Sequence, residues 1–512
     1  MALKYSSSSI ALLPVFSGQT FDLRGNIRGS LTKEAAKKLV SSVVLEEDKN
    51  SILYERIILS TWALSEDAVI EIAASFCKLP KLKSLILADI IAGRPEAEGL
   101  SVYRALCLAL TSSLSPNEEP ICNRIEELDL SDNAVGTKGV EACKSLLEHM
   151  PSLKRLFFCN CGISAEAART ITDYLIQGKK KEKKNVDVVE KQQATDEVAV
   201  GGDTSDEQKG DIVDNSLVLE VIHFDNNMSG GAGAIAIADL ISASPKLIDF
   251  KYTSSRGDRT GVDALCSALG KAKSLIRLDL HDNIFAEPLG LALGSALSKL
   301  NNLVHLDLGD TLLRDEGVST LISGLLQGGC VNSIEYIDLS CNEISNKGAI
   351  SVAKCISKLR HLRVMLLHEN EFEDKGAKII AKGIRSRGRL FEQRDVSLQT
   401  DDRNKSEFLP IMDLFEQIDL SSNMISSLGA LSLTRACVKA KLIKLRILKL
   451  SGNDEVSISC VHRLEAILQT GGIGSVEEVV YFGEQDEFEE GDDEEEIEEE
   501  EEEEVEVEGL EE

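Results

Sequence analysis

Aromatic side chains are scarce in this 512-residue chain, at 4%, with a single tryptophan at Trp62 and nine prolines. A binding face built on tryptophan and tyrosine anchors therefore has little to draw on. Basic charge is also short. Eighty-six acidic residues outnumber 56 basic ones, and no basic stripe is interleaved with aromatics, which disfavours nucleic acid as a partner. No run approaches the roughly 18 apolar residues that a spanning helix needs, so no membrane insertion is expected. The chain contains no P-loop, no His-Glu-x-x-His and no Gly-x-Ser-x-Gly, which removes the usual carriers of nucleotide hydrolysis, zinc proteolysis and serine hydrolysis. Cys159-x-Cys161 has no second pair at zinc spacing, so neither a metal nor a cofactor is expected. No secretory signal is recognisable. The twelve cysteines accordingly read as small buried hydrophobes rather than disulfides.

What the chain does contain is a period. The segments starting at Ile125, Leu153, Leu219, Leu275, Leu303, Ile334, Leu362 and Phe415 share the template L-x-x-L-x-L-x-x-N, followed by a helical pattern. Starts at 125 and 153 differ by 28, as do those at 219, 247, 275 and 303 in turn, and those at 334 and 362. Tyr54 and Leu82 begin two further copies, a weaker one surrounds Phe21, Leu445 begins the last clear one, and Val476 lies in a candidate closing strand. This is the signature of a leucine-rich repeat. The expected fold is an α/β solenoid, a horseshoe of ribonuclease-inhibitor-like repeats of about 28 residues, with parallel strands on the concave face and helices on the convex face.

One unit shows why these residue types recur. Leu128 and Leu130 alternate with Glu127 and Asp129, so a short strand turns its leucines inward and its acids outward. Asn133 holds the ladder position, where a buried amide satisfies backbone groups as the chain turns. Gly139 opens the helical segment, which carries Val140, Cys143, Leu146 and Leu147 on one stripe. Cys266, Cys355 and Cys437 fall on equivalent stripes, and Cys161 takes a ladder position. Such repeats touch only their neighbours, which points to macromolecular recognition rather than a pocket in one core.

Two inserts and a tail interrupt the period. The expected organisation is an N-terminal segment over 1–17, a repeat domain over 18–483 with disordered inserts at about 178–215 and 385–411, and an acidic disordered tail over 484–512. The first insert opens with a lysine cluster from Lys179; the second is richer in arginine. The tail holds 21 acidic residues and no basic ones, against a net charge of −30 for the whole chain. It repels itself and has little to bury, so it serves solubility or touches a basic partner. Gly231-x-Gly233-x-x-Ala236 mimics a dinucleotide fingerprint, but Gly233 is the repeat glycine, so cofactor binding is discounted. His223, His281 and His368 read as strand-face residues.

Two loops depart from the template. After the strand at Leu82 the ladder position is Ile90 instead of Asn, followed by Ala92-Gly93-Arg94-Pro95-Glu96; the next repeat turns through Leu130-Ser131-Asp132-Asn133-Ala134-Val135-Gly136. Together with His223 to Gly230 and the acidic tail, this pairing resembles the Ran GTPase-activating proteins, especially their plant-like branch, over roughly Ile52 to Tyr481. The resemblance implies an activator of GTP-bound Ran, with or without a Ran-binding helper protein, in which catalysis is carried by the GTPase and no arginine finger is used. Matched by motif, Asn133 is the asparagine that holds the GTPase's water-positioning glutamine and Arg94 the supporting arginine. Gly93, Asp132, Asp225 and Asn227 are the further candidates for binding the GTPase. Arg94, outside the repeat rules, is expected to matter little for stability. Cytoplasmic localisation follows from the resemblance, at the nuclear envelope or away from it, in support of nucleocytoplasmic transport. The Trp-Pro-Pro motif of plant members is absent, which weakens anchoring by that route. A ribonuclease-inhibitor-like blocker and a scaffold without GTPase activation stay open beside this expectation.

Overall fold

Each repeat contributes a strand of only three to five residues, and the rest of the repeat returns the chain to start the next. The computed structural model describes residues 19–22, 29–43, 54–60, 62–76, 79–91, 93–113, 119–197, 216–398, 414–453 and 456–473. It divides into two compact units, Met1–Phe285 and Ala286–Glu512. In the first unit the strands are β1 (Gln19–Asp22), β2 (Gly29–Leu31), β3 (Tyr54–Ile58), β4 (Trp62–Leu64), β5 (Ser84–Ile86), β6 (Glu127–Asp129), β7 (Arg155–Phe157), β8 (Val221–Asp225), β9 (Asp249–Thr253) and β10 (Arg277–Asp279). β2 and β4 form a small parallel pair of their own, which the repeat pattern did not signal. The others pair in parallel in chain order, placing Leu85, Leu128, Leu156, Ile222, Phe250 and Leu278 side by side. All six are buried. In the second unit β11 (His305–Asp307), β12 (Tyr336–Asp338), β13 (Val364–Leu366), β14 (Gln417–Asp419) and β15 (Ile447–Lys449) repeat the arrangement, with Leu306, Ile337, Met365, Ile418 and Leu448 aligned. Parallel strands need a crossover, and here a helix or helical turn supplies it. The fold is the expected α/β leucine-rich-repeat solenoid. The candidate closing strand near Val476 and the tail lie outside the described residues.

The repeat glycine answers to a close approach. A Cβ on Gly139 would stand 2.8 Å from Val135 Cγ1, and one on Gly348 would meet Ile344 Cγ2 at 2.4 Å. In both cases the obstacle is the buried side chain four residues earlier, which fills the turn between strand and helix. Gly233 obeys the same rule against Ser229, so the dinucleotide-like spacing around it is packing.

Both inserts are corrected over part of their length. The helix Ala165–Glu197 runs through 178–197, and the helix Asp374–Leu398 runs through 385–398; the remainders, 198–215 and 399–411, lie outside the described residues. Gly178 and Gly388 fall within the two expected loops, yet each is a mid-helix glycine pressed against a neighbouring backbone. A Cβ on Gly178 would fall 2.2 Å from the Glu148 carbonyl oxygen, and one on Gly388 would fall 2.6 Å from Ala440 Cα. From Lys179 to Glu197 there is no glycine or proline, and lysine, glutamate and glutamine prolong a helix once it is packed.

Arg387, inside the second expected loop, is wholly buried. Its guanidinium donates to the carbonyls of Ile356 (3.1 Å), Leu359, Arg360 (3.0 Å) and Leu362 (3.1 Å), and lies 5.3 Å from the Phe415 ring centroid. These carbonyls end the preceding repeat's helix, Ala349–Lys358, and begin the next strand segment, where backbone acceptors otherwise go unpaired. Arg387→Ala is expected to lower stability by at least about 3 kcal/mol, because several buried carbonyls lose their donor at once. Exposed Arg389→Ala should change it by less than about 0.5 kcal/mol. Thermal denaturation of the two variants beside the parent checks the contrast; equal midpoints would contradict it.

Candidate functional site

The two departing loops are held together by one side chain. Asn133 is fully buried. Its Oδ1 accepts the N–H of Ile90 (2.9 Å) and of Ile91 (3.2 Å), while Nδ2 donates to the carbonyls of Leu87 (2.9 Å), Leu130 (2.9 Å) and Ser131 (3.0 Å). A side-chain amide has two lone pairs and two N–H bonds to offer, and all are spent inside the repeat. The residue expected to reach a GTPase thus has no free polar atom, and instead fixes the backbone from which the Gly93-Arg94 loop departs.

Arg94 is likewise more embedded than a loop residue need be. Its side chain is 16% exposed, with Nη2 donating to the Ala63 carbonyl at 2.9 Å and Nη1 3.3 Å from Glu98 Oε2. The reason lies one turn earlier. Where Asn133 ties its rung to the preceding one, the Ile90 side chain carries no polar atoms, so its rung lacks that amide. Arg94 reaches back to the preceding repeat in its place. Beside it, Gly93 is exposed with φ +76° and open space around its Cβ position, a backbone setting that a side chain would strain. Lys138, in the helix Gly136–Ala142 that follows the second loop, places Nζ 2.5 Å from Glu96 Oε1, an exposed ion pair.

The surface these loops present comes from the residue just before each ladder position. Asp132 is exposed with left-handed backbone, φ 57°, as are Asn160 (53°) and Asn226 (51°). Asn160 Nδ2 donates to Asp132 Oδ1 at 3.0 Å, and Asn226 Nδ2 donates to Asn160 Oδ1 at 3.2 Å, so three successive repeats form a polar rim. Aspartate and asparagine tolerate this backbone best among side-chain-bearing residues. Of the other candidates, Asn227 is a buried ladder residue bonded to the N–H groups of Cys161 and Ile163. Asp225 is half-buried on the strand face, accepting from Thr253 and lying 3.4 Å from Lys251 Nζ. The structure therefore brings Gly93, Arg94, Asp132 and Asn133 together, while Asn160, Asn226, Glu96 and Lys138 were missed. The signal for the first two was available: each immediately precedes a ladder residue.

The strand acids are not the free charges that alternation suggested. Glu127 is buried, accepts a hydrogen bond from Ser84, and lies 3.7 Å from Arg56 Nε. Asp129 accepts the Ser131 N–H at 2.9 Å, an Asx turn repeated by Asp338 with Ser340 and by Asp419 with Ser421. Burial holds the Asp129 carboxyl above the ordinary value of 3.8, although the Ser131 hydrogen bonds pull the other way.

Fold and site define a leucine-rich-repeat solenoid with one rung rebuilt. The Leucine Rich repeat family model matches residues 122–142 and 332–353. Two Arabidopsis thaliana proteins, RAN GTPase-activating protein 1 and RAN GTPase-activating protein 2, are each 34% identical over 139 residues, 27% of this chain and 23% of theirs. Human NACHT, LRR and PYD domains-containing protein 3 is 26% identical over 307 residues, 57% of this chain and 27% of that protein. The chain spans about a quarter of the length of these curated relatives. Among solved structures, an internalin from Listeria monocytogenes aligns with a TM-score of 0.41 at 11% identity, covering 88% of this chain and 95% of that one. No described helix is long and apolar enough to cross a membrane.

Two outcomes follow. Arg94→Ala is expected to destabilise by about 1 to 2 kcal/mol through loss of its cross-repeat bond, measurable as a lower unfolding midpoint; an unchanged midpoint would return Arg94 to the status of a loose loop residue. Asp129→Asn tests the raised carboxyl. A carboxyl whose folded pKa is raised costs stability as pH rises from the unfolded value to the folded one, in full above the latter, and costs nothing where it is protonated both folded and unfolded. The substitution should therefore raise the midpoint at pH 7, with the gain vanishing below about 3.8.

Proposed function

We propose that this chain is a GTPase activator for Ran, acting on the GTP-bound form and supplying no catalytic group of its own that enters the phosphate site. The observation that carries the reading is the joined pair of loops, with Asn133 bonded to Ile90 and Ile91 and Lys138 paired with Glu96. The similarity to the two Arabidopsis thaliana activators supports it. In this reading Asn133 is a positioning residue. With its amide consumed by the repeat, it acts by holding the Gly93-Arg94 backbone in place, and exposed Asp132 in the same turn is the group within reach of the GTPase. Arg94 keeps its supporting part, anchored by the Ala63 carbonyl. A rigid rim that orders the GTPase's own glutamine and its attacking water acts on orientation and on exclusion of solvent. Those are the contributions that phosphoryl transfer accepts from a partner without covalent chemistry. Action in the cytoplasm, at the nuclear envelope or away from it, belongs to the same proposal, as does support of nucleocytoplasmic transport.

Single-turnover GTP hydrolysis by purified Ran is the test. Catalytic amounts of the chain should raise the rate by about 10³-fold or more, with Ras-like and Rho-like GTPases unaffected. Asp132→Asn should cut activation at least tenfold with an unchanged melting temperature, since asparagine tolerates the same left-handed backbone and its side-chain oxygen still accepts from Asn160. Asn133→Ala should abolish activation and destabilise by about 1 to 3 kcal/mol. Asn342 is the matched control: it is equally buried and binds the N–H groups of Thr311 and Leu313, so Asn342→Ala should lose similar stability and keep activation. An intrinsic hydrolysis rate in the presence of folded protein would leave a leucine-rich-repeat binding module without GTPase activation.

A further inference from the structure

A repeat period of 28 residues sets side chains from distant parts of the sequence beside each other on adjacent rungs. Cys341 and Glu369 stand in this relation. Each immediately precedes a ladder asparagine, Asn342 or Asn370, and each has left-handed backbone, φ 53° and 54°. The Cys341 N–H donates to the carbonyl of His368 at 2.9 Å, and Cys341 Sγ lies 3.5 Å from Glu369 Oε2. A thiol sulfur, an imidazole nitrogen and a carboxylate oxygen from Cys341, His368 and Glu369 all fall within 4.8 Å of one another. Among the described residues this is the one group of three such donors so arranged. A fourth residue belongs to the arrangement: Asp419 Oδ2 lies 4.0 Å from His368 Nδ1. Asp419 is itself held by Ser421 and by Lys449 Nζ at 3.2 Å.

We propose that Cys341, His368 and Glu369 bind one Zn²⁺, with the fourth coordination position open to solvent. The donor set selects the metal. Sulfur with nitrogen and one carboxylate suits zinc, whereas calcium and magnesium take oxygen throughout. Tetrahedral zinc with bonds of about 2.0 to 2.3 Å spaces its donors about 3.2 to 3.8 Å apart, and the sulfur–carboxylate separation already lies in that range. Glu369 is exposed and half-buried His368 can rotate, so the remaining approach needs side-chain motion only. A carboxylate beside a metal-bound imidazole orients the ring and strengthens it as a ligand, which is the place Asp419 occupies. The site stands independently of the GTPase reading.

The test uses the full chain, stripped with chelator and titrated with Co²⁺. One equivalent should produce a thiolate-to-cobalt charge-transfer band that Zn²⁺ bleaches. Cys341→Ser should remove the band, while Cys159→Ser, changing the other half-buried thiol of the described residues, should leave it intact. Glu369→Gln changes an exposed side chain and keeps the fold, so its expected effect, a tenfold or greater loss of Co²⁺ affinity, decides the matter even if Cys341→Ser unfolds. No band in the parent chain, a band that survives Cys341→Ser, or an affinity unmoved by Glu369→Gln overturns the proposal.

Discussion

One side-chain amide, placed between two successive turns, is the interaction on which the rest of this molecule depends. Each turn after a strand carries backbone N–H and carbonyl groups into a buried place, where unpaired polar atoms are costly. Asn342, Asn370, Asn423 and Asn453 meet the need as Asn133 does, taking N–H bonds from the preceding turn and giving their own to carbonyls. At these positions each rung is thus completed by the next. Stability in such a chain is distributed among neighbour contacts, and a defect at one rung is felt first by the rung before it.

That dependence explains where function can be placed. A rung whose ladder residue is Ile90 gives up the amide and must be tied by other means. Its loop can then leave the common path, as the Gly93-Arg94 loop does. Arg94 restores the tie to the preceding repeat, and Lys138 of the following helix adds an exposed ion pair to Glu96. The cost of the departure is met by charged side chains with long reach, which leaves Asp132 and its asparagine neighbours free to form a continuous outer rim.

The sequence was most legible where a feature recurs. Strand leucines, ladder residues and the packing glycine repeat often enough for each copy to confirm the others, and cysteines on the helix stripes proved buried as expected, with burial pushing Cys355 and Cys437 up to about 12. Single features were harder. Gly178 and Gly388 are glycines because a neighbouring backbone presses on them, and nothing local distinguishes that from a loop. Arg387 is an arginine in a basic stretch until the four carbonyls around it are seen. Asn133 carries the loop motif and the ladder position at once, and only geometry shows that the second role uses up the side chain. Cys341 and Glu369 have no motif spacing because the fold, and not the chain, makes them neighbours.

The two long helices have one more consequence. Extra residues enter this solenoid between the end of a strand and the start of the next, yet Phe157 still faces His223 and Leu366 still faces Asp419 in unbroken parallel register. The described part of that length, 178–197 and 385–398, is helix, and the strand face does not record it. Insert size and strand-face chemistry become separate variables: these excursions can be lengthened, shortened or recharged while the order of residues along the strand face stays unchanged.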